Sequence, residues 1–90
     1  MELKFSGQFS KDIDINNRKV LEALRDTILN VENAKNTSQI HNLKKLEKYK
    51  AHYRIRVADE YRIGVIIRGN IVRFVRFGHR NIFYKKFFSR

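Results

Sequence analysis

The sequence contains no cysteine, no proline and no long run of apolar residues. Without cysteine the chain has no disulfide framework, no thiol nucleophile and no cysteine-ligated metal. Its longest apolar stretch, Ile63 to Ile67, is interrupted by Gly64 and is far too short to cross a membrane. The first ten residues, MELKFSGQFS, lack the apolar region of a signal peptide. These absences predict a cytoplasmic protein without a membrane partner.

Groups of residues that bind metals or share protons are also missing. No His, Asp or Glu residues stand at metal-ligand spacing, and no glycine-rich phosphate loop occurs. Glu47 and Asp59 are isolated carboxylates that form no acid pair. We therefore expect neither a metal site nor a cofactor.

The positive charge of the chain lies in its second half. The 90 residues carry a formal net charge of +11 at pH 7. Residues 1–43 hold six basic and six acidic residues, whereas residues 44–90 hold fourteen basic and three acidic ones. Such clustering favours an anionic partner such as nucleic acid. A basic face that only aids solubility is the alternative. A membrane-surface helix is disfavoured because the basic residues alternate with apolar ones.

Length and periodicity predict one α+β domain over residues 1–90. Glu2 to Phe5 alternates like a short strand, and Ser10 is predicted to cap a short helix through Ile15. An apolar stripe predicts the main helix from Arg18 to about Val31. Further expected segments are a helical turn at 38–43, a polar lead-in at 44–50 and a short terminal helix from Asn81.

The last third of the chain predicts an antiparallel sheet. The expected strands are His52 to Val57, Tyr61 to Arg68 and Ile71 to Phe77. Residues 58–60 make a tight connection, and Gly69-Asn70 makes a two-residue hairpin turn. The expected fold is a small antiparallel sheet with helices packed on one face and a short C-terminal helix.

These turns predict which residues oppose each other. Gly64 is expected opposite Val75, Ile63 opposite Arg76, and Arg62 opposite Phe77. This register leaves Arg76 on an otherwise apolar face and Val75 and Phe77 on a basic one. The mismatch indicates either a covering element or a bulge in the last strand, because a slip of one residue exchanges the faces.

The basic face is the candidate site. Arg56 and Arg62 are predicted to lie directly opposite each other, and like charges in this position repel. The pairing therefore indicates that an anion belongs between them, and a row of phosphates means nucleic acid. The residues predicted on or near this face are Arg54, Arg56, Arg62 and Arg73, with His79 just beyond the strand end.

Such a face has the groups needed to cleave RNA without a metal. The ribose 2′-OH attacks the adjacent phosphate and the 5′-oxygen leaves, which requires a base, an acid and cations for the transition-state charge. A tyrosine is a poor base unless nearby cations favour its ionised form. The candidates are Arg54, Arg56, Arg62 and Arg80 for charge, and His79 and Tyr84 for proton transfer.

Each candidate also has a purely structural interpretation. The alternatives are a solvated strand face for Arg54 and Arg56, an ion pair with Asp59 or Glu60 for Arg62, a strand-end cap for His79 and a core-edge aromatic for Tyr84.

The segments YRIRVADEYRIGV and GHRNIFY resemble the RelE/ParE superfamily of bacterial toxins from type II toxin–antitoxin systems. The resemblance covers about Leu43 to Tyr84. It implies the small α+β toxin fold, with helices on one face of an antiparallel sheet and the active site on the other. In RelE-type members that site cleaves mRNA in the ribosomal A site.

The resemblance also implies a role for individual residues. Arg54 and Arg56 match the basic pair of the second strand, although RelE itself has lysines there. Arg62 matches the arginine that stabilises the phosphate transition state. Arg80 matches the later arginine, and Tyr84 the C-terminal tyrosine, at a shorter spacing. His79 resembles a histidine that other branches use. The residues expected to bind RNA around this site are Lys44, Lys45, Lys48, Lys50, Arg73, Lys85 and Lys86.

Two partners follow from the resemblance, and two other functions stay open. The implied partners are mRNA on the ribosome and a cognate antitoxin that covers the basic face, contacting Ile71, Val75 and Phe77. One alternative is a ParE-like toxin that inhibits DNA gyrase by binding it. The other is an RNA-binding module without catalysis.

Overall fold

The computed structural model describes residues 1–88, which form a five-stranded sheet and three α-helices. The sheet order is β1-β5-β4-β3-β2, with β1 parallel to β5 and all other neighbours antiparallel. This architecture confirms the predicted α+β class. The elements are β1 Glu2–Phe5, α1 Gly7–Asp12, α2 Arg18–Asn33, β2 Leu43–Lys45, β3 His52–Val57, β4 Tyr61–Arg68, β5 Ile71–His79 and α3 Arg80–Phe88.

Side-chain caps determine where the first two helices begin. The Asn17 side chain accepts the Val20 N–H at 3.2 Å, which starts α2 where the apolar stripe predicts it. The Ser6 hydroxyl accepts the Phe9 N–H at 3.0 Å, so α1 begins at Gly7. The prediction of a helix capped by Ser10 and reaching Ile15 was therefore wrong: the cap lies four residues earlier, at Ser6 directly after β1, and the helix ends at Asp12.

The segment between α2 and β3 differs from its prediction. The helical turn is a single 3₁₀ turn, Thr37–Gln39, and residues 43–45 form β2 rather than a lead-in. β2 is an edge strand, where exposed lysines are common because they discourage further pairing. At the other end β5 continues to His79 and α3 begins at Arg80, slightly different from the predicted boundaries. No helix within residues 1–88 is long and apolar enough to span a bilayer.

The main core lies between the sheet and helices α1 and α2, on what we call the helix face. Its sheet residues Ile55, Ile63, Val65, Val72 and Phe74 are fully buried. From the helices, Phe9, Leu24 and Val31 complete the cluster. Burial of these side chains is the main favourable term in the folding of a chain this small.

A bulge in β5 corrects the predicted register. Pairing runs as expected from Arg68–Ile71 to Val65–Phe74, but Gly64 then opposes Arg76 rather than Val75. Because Val75 is the extra residue, the faces of the following part of β5 are exchanged. Phe77 opposes Ile63 and is fully buried in the core, and Arg76 moves to the other face. The predictions for Ile63, Arg62 and Phe77 were wrong for this one reason.

Helix α3 packs on the opposite side of the sheet, which we call the basic face. The Phe87 ring lies directly over Gly64, where an added Cβ would come within 2.7 Å of it. Phe83 and Phe87 are buried beneath the helix. Because Gly64 has no side chain, α3 packs closely on the sheet at this position. The helix covers the part of the basic face formed by β4 and β5.

Candidate nucleic-acid interface

Three arginines on the basic face form what we call the arginine row: Arg54, Arg56 and Arg62. The predicted pairings of β3 and β4 are confirmed, since Arg56 lies opposite Arg62 and Arg54 opposite Gly64. Lys44 on β2 lies opposite Arg54 and extends the row by one cation. Directly opposed side chains have Cβ atoms about 5 Å apart, so these positive charges are close neighbours.

The arginine row is held by oxygens that carry no net charge. Arg54 donates to the backbone oxygen of Asn42 at 2.9 Å, and Arg56 donates to the Asn42 side-chain oxygen at 3.4 Å. Arg62 donates to the backbone oxygens of Asp59 at 2.6 Å and Tyr61 at 2.9 Å. None of the three makes an ion pair with a carboxylate among residues 1–88. The guanidinium groups are therefore positioned but not neutralised.

The β3–β4 turn beside Arg62 has an unusual backbone. Ala58 and Asp59 have φ values of 48° and 55°, in the left-handed region that side chains disfavour. This conformation turns the Asp59 carbonyl toward Arg62, which is the bond described above. Strained backbone tends to occur where a functional side chain must be held in position.

His79 and Arg80 lie beside the same turn and share one carboxylate. His79 opposes Tyr61, a residue of the helix face, and packs edge-on against its ring. The structure therefore places His79 on the helix face and not with the arginine row. Its Nδ1 accepts the Asn81 N–H at 3.2 Å, and its Nε2 lies 3.4 Å from Glu60. Arg80 pairs with Glu60 at 3.1 Å. These contacts support a structural, end-capping role for His79.

Tyr84 and Lys85 are on the exposed side of α3. Tyr84 is 43% exposed and contacts the buried Phe83 edge-on, which fits the core-edge interpretation. Because α3 packs on the basic face, both residues lie on the same side of the sheet as the arginine row.

Asp12, which the sequence reasoning missed, binds two cations of the basic face. Its carboxylate lies 2.8 Å from Arg76 and 3.4 Å from Lys86, and it accepts the Phe77 N–H at 2.9 Å. Burial raises the pKa of Asp12, but these partners outweigh burial and hold the pKa below its usual value. Lys86 also donates to the Phe77 carbonyl, so both of its recorded contacts are structural. The one indication in the sequence was Arg76, because the predicted register put this cation on an otherwise apolar face and so implied a missing partner.

The remaining predicted RNA-binding residues are dispersed. Lys45 opposes Tyr53 of the helix face, and its amine lies 5.4 Å from the centre of that ring. Lys48 and Lys50 are exposed in the β2–β3 loop. Arg73 lies beside Lys4 in a separate cluster at the β1 edge of the sheet. Lys44 is the one of these strand residues that lies directly opposite a member of the arginine row.

His52 is a second residue that the sequence reasoning missed. It lies opposite Ile66, two residues before Arg54, and packs against the rings of Tyr49 and Phe87. Burial and the charges of Arg68 and Lys45 lower the pKa of His52, so the neutral imidazole is favoured. Its buried Nδ1 has no hydrogen-bond partner among residues 1–88.

The fold and this face define a class: a small, basic α+β protein whose sheet presents arginines without acidic partners. Toxin RelE3 of Methanocaldococcus jannaschii is 34% identical over 92 residues, covering 97% of this chain and 99% of that protein. No family model matches the chain. The chain belongs to the RelE family of toxins, which confirms the resemblance seen in the sequence.

Solved structures agree with this assignment. The RelB–RelE antitoxin–toxin complex from Methanococcus jannaschii contains a chain with a TM-score of 0.79 and 28% identity, covering 93% of this chain and 98% of that one. YafQ from E. coli BL21(DE3) matches with a TM-score of 0.62 and 20% identity, covering 89% and 93%. The YafQ comparison concerns the fold alone.

Proposed function

We propose that this toxin is an endoribonuclease that cleaves mRNA on the ribosome and so inhibits translation in the cytoplasm. The observation that carries the proposal is the arginine row, three adjacent guanidinium groups with no carboxylate partner among residues 1–88. Opposed like charges cost stability unless an anion lies between them. A phosphodiester backbone supplies that anion, and guanidinium groups bind phosphate in a bidentate manner.

The proposed reaction uses the nucleophile that RNA itself carries. The 2′-oxygen forms a bond to the adjacent phosphorus, and the bond from phosphorus to the 5′-oxygen breaks. A base removes the 2′-OH proton, an acid returns a proton to the leaving oxygen, and a cyclic phosphate and a 5′-hydroxyl result. Arg54, Arg56 and Arg62 stabilise the additional phosphate charge, so no metal ion is required. Tyr84 is the proposed base.

We also propose that a cognate antitoxin neutralises the protein. The solved archaeal relative was captured in a complex of RelB with RelE. In this chain, Ile71 is an exposed apolar residue on the basic face, whereas Val75 is half-buried and Phe77 is in the core. The expected antitoxin contact is therefore reduced to Ile71 and the surrounding cations.

The first test is induced expression in bacteria, followed by primer extension on a known transcript. Wild type should arrest growth and leave cuts within codons of translated mRNA. Arg62→Ala should reduce cleavage by about 100-fold or more, the usual effect of removing one group that stabilises transition-state charge. Arg18→Ala is the matched control, because Arg18 is exposed on α2 and pairs only with Glu22 among the described residues.

Three results would contradict the proposal. Growth arrest with intact mRNA and inhibited gyrase indicates a ParE-like toxin. Unchanged cleavage in folded Arg62→Ala removes Arg62 from the mechanism. RNA binding without arrest indicates a binding module. Folding of each variant is checked by circular dichroism.

A further inference from the structure

A cavity of about 310 Å³ lies between the β2–β3 loop and the end of α3. Its walls include Lys44, Glu47, Lys48, Tyr49 and Phe88. The rings of Tyr49 and Phe88 are stacked, with centroids 4.5 Å apart and planes 11° from parallel. The cavity thus joins a flat aromatic surface to several cations. We call it the aromatic pocket.

The aromatic surface is exposed to solvent and is also packed against other rings of the protein. Tyr49 is 38% exposed, although it is a large ring in a small protein. Behind it, the His52 ring lies 4.9 Å from Tyr49 and 5.2 Å from the buried Phe87. Lys45 donates to the carbonyls of Leu46 and Tyr49, which fixes the loop. A flat ligand therefore meets a surface that is already ordered, which lowers the entropic cost of binding.

The aromatic pocket is continuous with the arginine row. Lys44 lines the pocket and is the direct cross-strand partner of Arg54. A strand of RNA whose phosphates lie on the arginine row therefore reaches the pocket with an adjacent nucleotide. Aromatic side chains beside a basic groove are the usual means of holding single-stranded nucleic acid, because every base has a flat face.

We propose that the aromatic pocket binds one unpaired nucleobase of the RNA held by the arginine row. The base stacks on the face of the Tyr49 ring that is not stacked on Phe88, Lys44 and Lys48 contact the neighbouring phosphates, and the Glu47 carboxylate accepts a hydrogen bond from an amino group of the base. The inference rests on the proposed function for the choice of RNA as ligand. An acidic peptide would use the lysines but would gain little from two parallel rings, and it is the alternative outcome of the test.

The experiment measures binding of labelled RNA to the full chain by fluorescence anisotropy. All riboses carry 2′-O-methyl groups, so the RNA cannot be cleaved. One probe has all its bases, and a matched probe lacks a single base. The position of the missing base is moved along the strand from one measurement to the next. Wild type should bind the complete probe about tenfold more tightly, as expected for one stacked base.

Variants of Tyr49 separate stacking from charge. Tyr49→Leu should abolish the preference for the complete probe, whereas Tyr49→Phe retains the ring and should retain the preference. Arg54→Gln should weaken both probes equally, because it removes a phosphate contact. Phe5→Leu is the control, since Phe5 is an exposed ring that stacks on Phe74 of the helix face.

Several results would overturn the inference. Equal binding of both probes by wild type, or an equal loss for both in Tyr49→Leu, means that the ring only supports the fold. Binding of poly-glutamate that Tyr49→Leu weakens as much as it weakens binding of the complete probe indicates a peptide site. Failure of the proposed function can be distinguished from failure of this inference. If binding of bases depends on Tyr49 but mRNA in cells stays uncleaved, the aromatic pocket is supported and the proposed cleavage is contradicted. If cleavage depends on Arg62 but not on Tyr49, the proposed function is supported and the role of the aromatic pocket is contradicted.

Discussion

At the scale of single residues, Asp12 connects three elements of the fold. Its side chain is 5% exposed and connects α1 to β5 through Arg76 and to α3 through Lys86. β1 ends opposite Phe74, so the next part of the β5 edge lacks a strand partner, and Asp12 accepts the Phe77 N–H there. One carboxylate thus completes the sheet edge and removes two cations from the basic face.

We expect Asp12→Asn to lower the free energy of unfolding by on the order of 2 kcal/mol, because it leaves two partly buried cations, Arg76 and Lys86, without their counter-charge. Urea unfolding at pH 7 measures the loss. Asp14→Asn is the control, since Asp14 is exposed two residues further along. A loss no larger than that of the control would show that Asp12 does not hold these elements together.

The same carboxylate predicts the direction of the pH dependence. The pKa of Asp12 is lowered in the folded protein, so the unfolded chain takes up a proton first as the pH falls. The stabilisation by ionised Asp12 is therefore complete above the ordinary carboxyl pKa of about 4 and is lost below it, down through the lowered folded value. The stability difference between wild type and Asp12→Asn should shrink over that range.

At the scale of elements, α3 depends on glycines in the strands beneath it. A Cβ at Gly64 would overlap the Phe87 ring at 2.7 Å, whereas a Cβ at Gly78 would meet only the end of Lys86, at 3.1 Å. The first contact involves a buried ring close to the helix backbone. The second involves the end of a long side chain, which needs to shift by only a few tenths of an ångström and can do so while it keeps its contacts with Phe77 and Asp12.

Gly64→Ala should therefore destabilise the protein by about 1–3 kcal/mol and loosen α3, as overpacking usually does. Gly78→Ala should cost less. Gly7→Ala is the control, because Gly7 has nothing within 4 Å and lies in α1, where alanine favours the helix. Thermal unfolding and amide exchange of residues 80–88 measure both effects. Full protection of the α3 amides from exchange in Gly64→Ala would show that the close packing of Phe87 on Gly64 does not hold the helix in place.

At the scale of the whole molecule, the proposed binding of RNA should weaken with salt according to the number of cations that contact phosphate, and not according to the net charge of +11. Only cations that reach phosphate release counterions, and each contributes about 0.7 to the slope of log K against log salt for a single strand. The arginine row with Lys44 and Lys48, five cations in all, should therefore give a slope of about −3.5.

Arg54→Gln should reduce the size of that slope by about 0.7, whereas Arg18→Gln should leave it unchanged because Arg18 lies on α2. Anisotropy titrations between low and moderate salt measure both slopes. Equal slopes for the two variants would mean that binding uses the overall charge rather than the arginine row.

The sequence by itself determined those features of the protein that depend on residues close together in the chain. Strand alternation, the stripe of α2, the Gly69-Asn70 turn and the charge of the second half together predicted the class of fold and the opposed Arg56 and Arg62. These features were predictable because a strand or helix repeats its pattern within a few residues.

Only the tertiary structure decided which faces several residues share. One extra residue, Val75, exchanges the faces of the strand that follows, so Phe77 enters the core and Arg76 leaves it. His79 lies on the helix face for the same reason, away from the arginines with which the sequence had grouped it. Likewise, Asp12 meets Arg76 across 64 positions of the chain. The mismatch of faces in the sequence already allowed for a bulge in the last strand, and the structure shows one. Its position, and the partner that Arg76 finds, follow from how the packed elements fit together, and local periodicity does not contain that information.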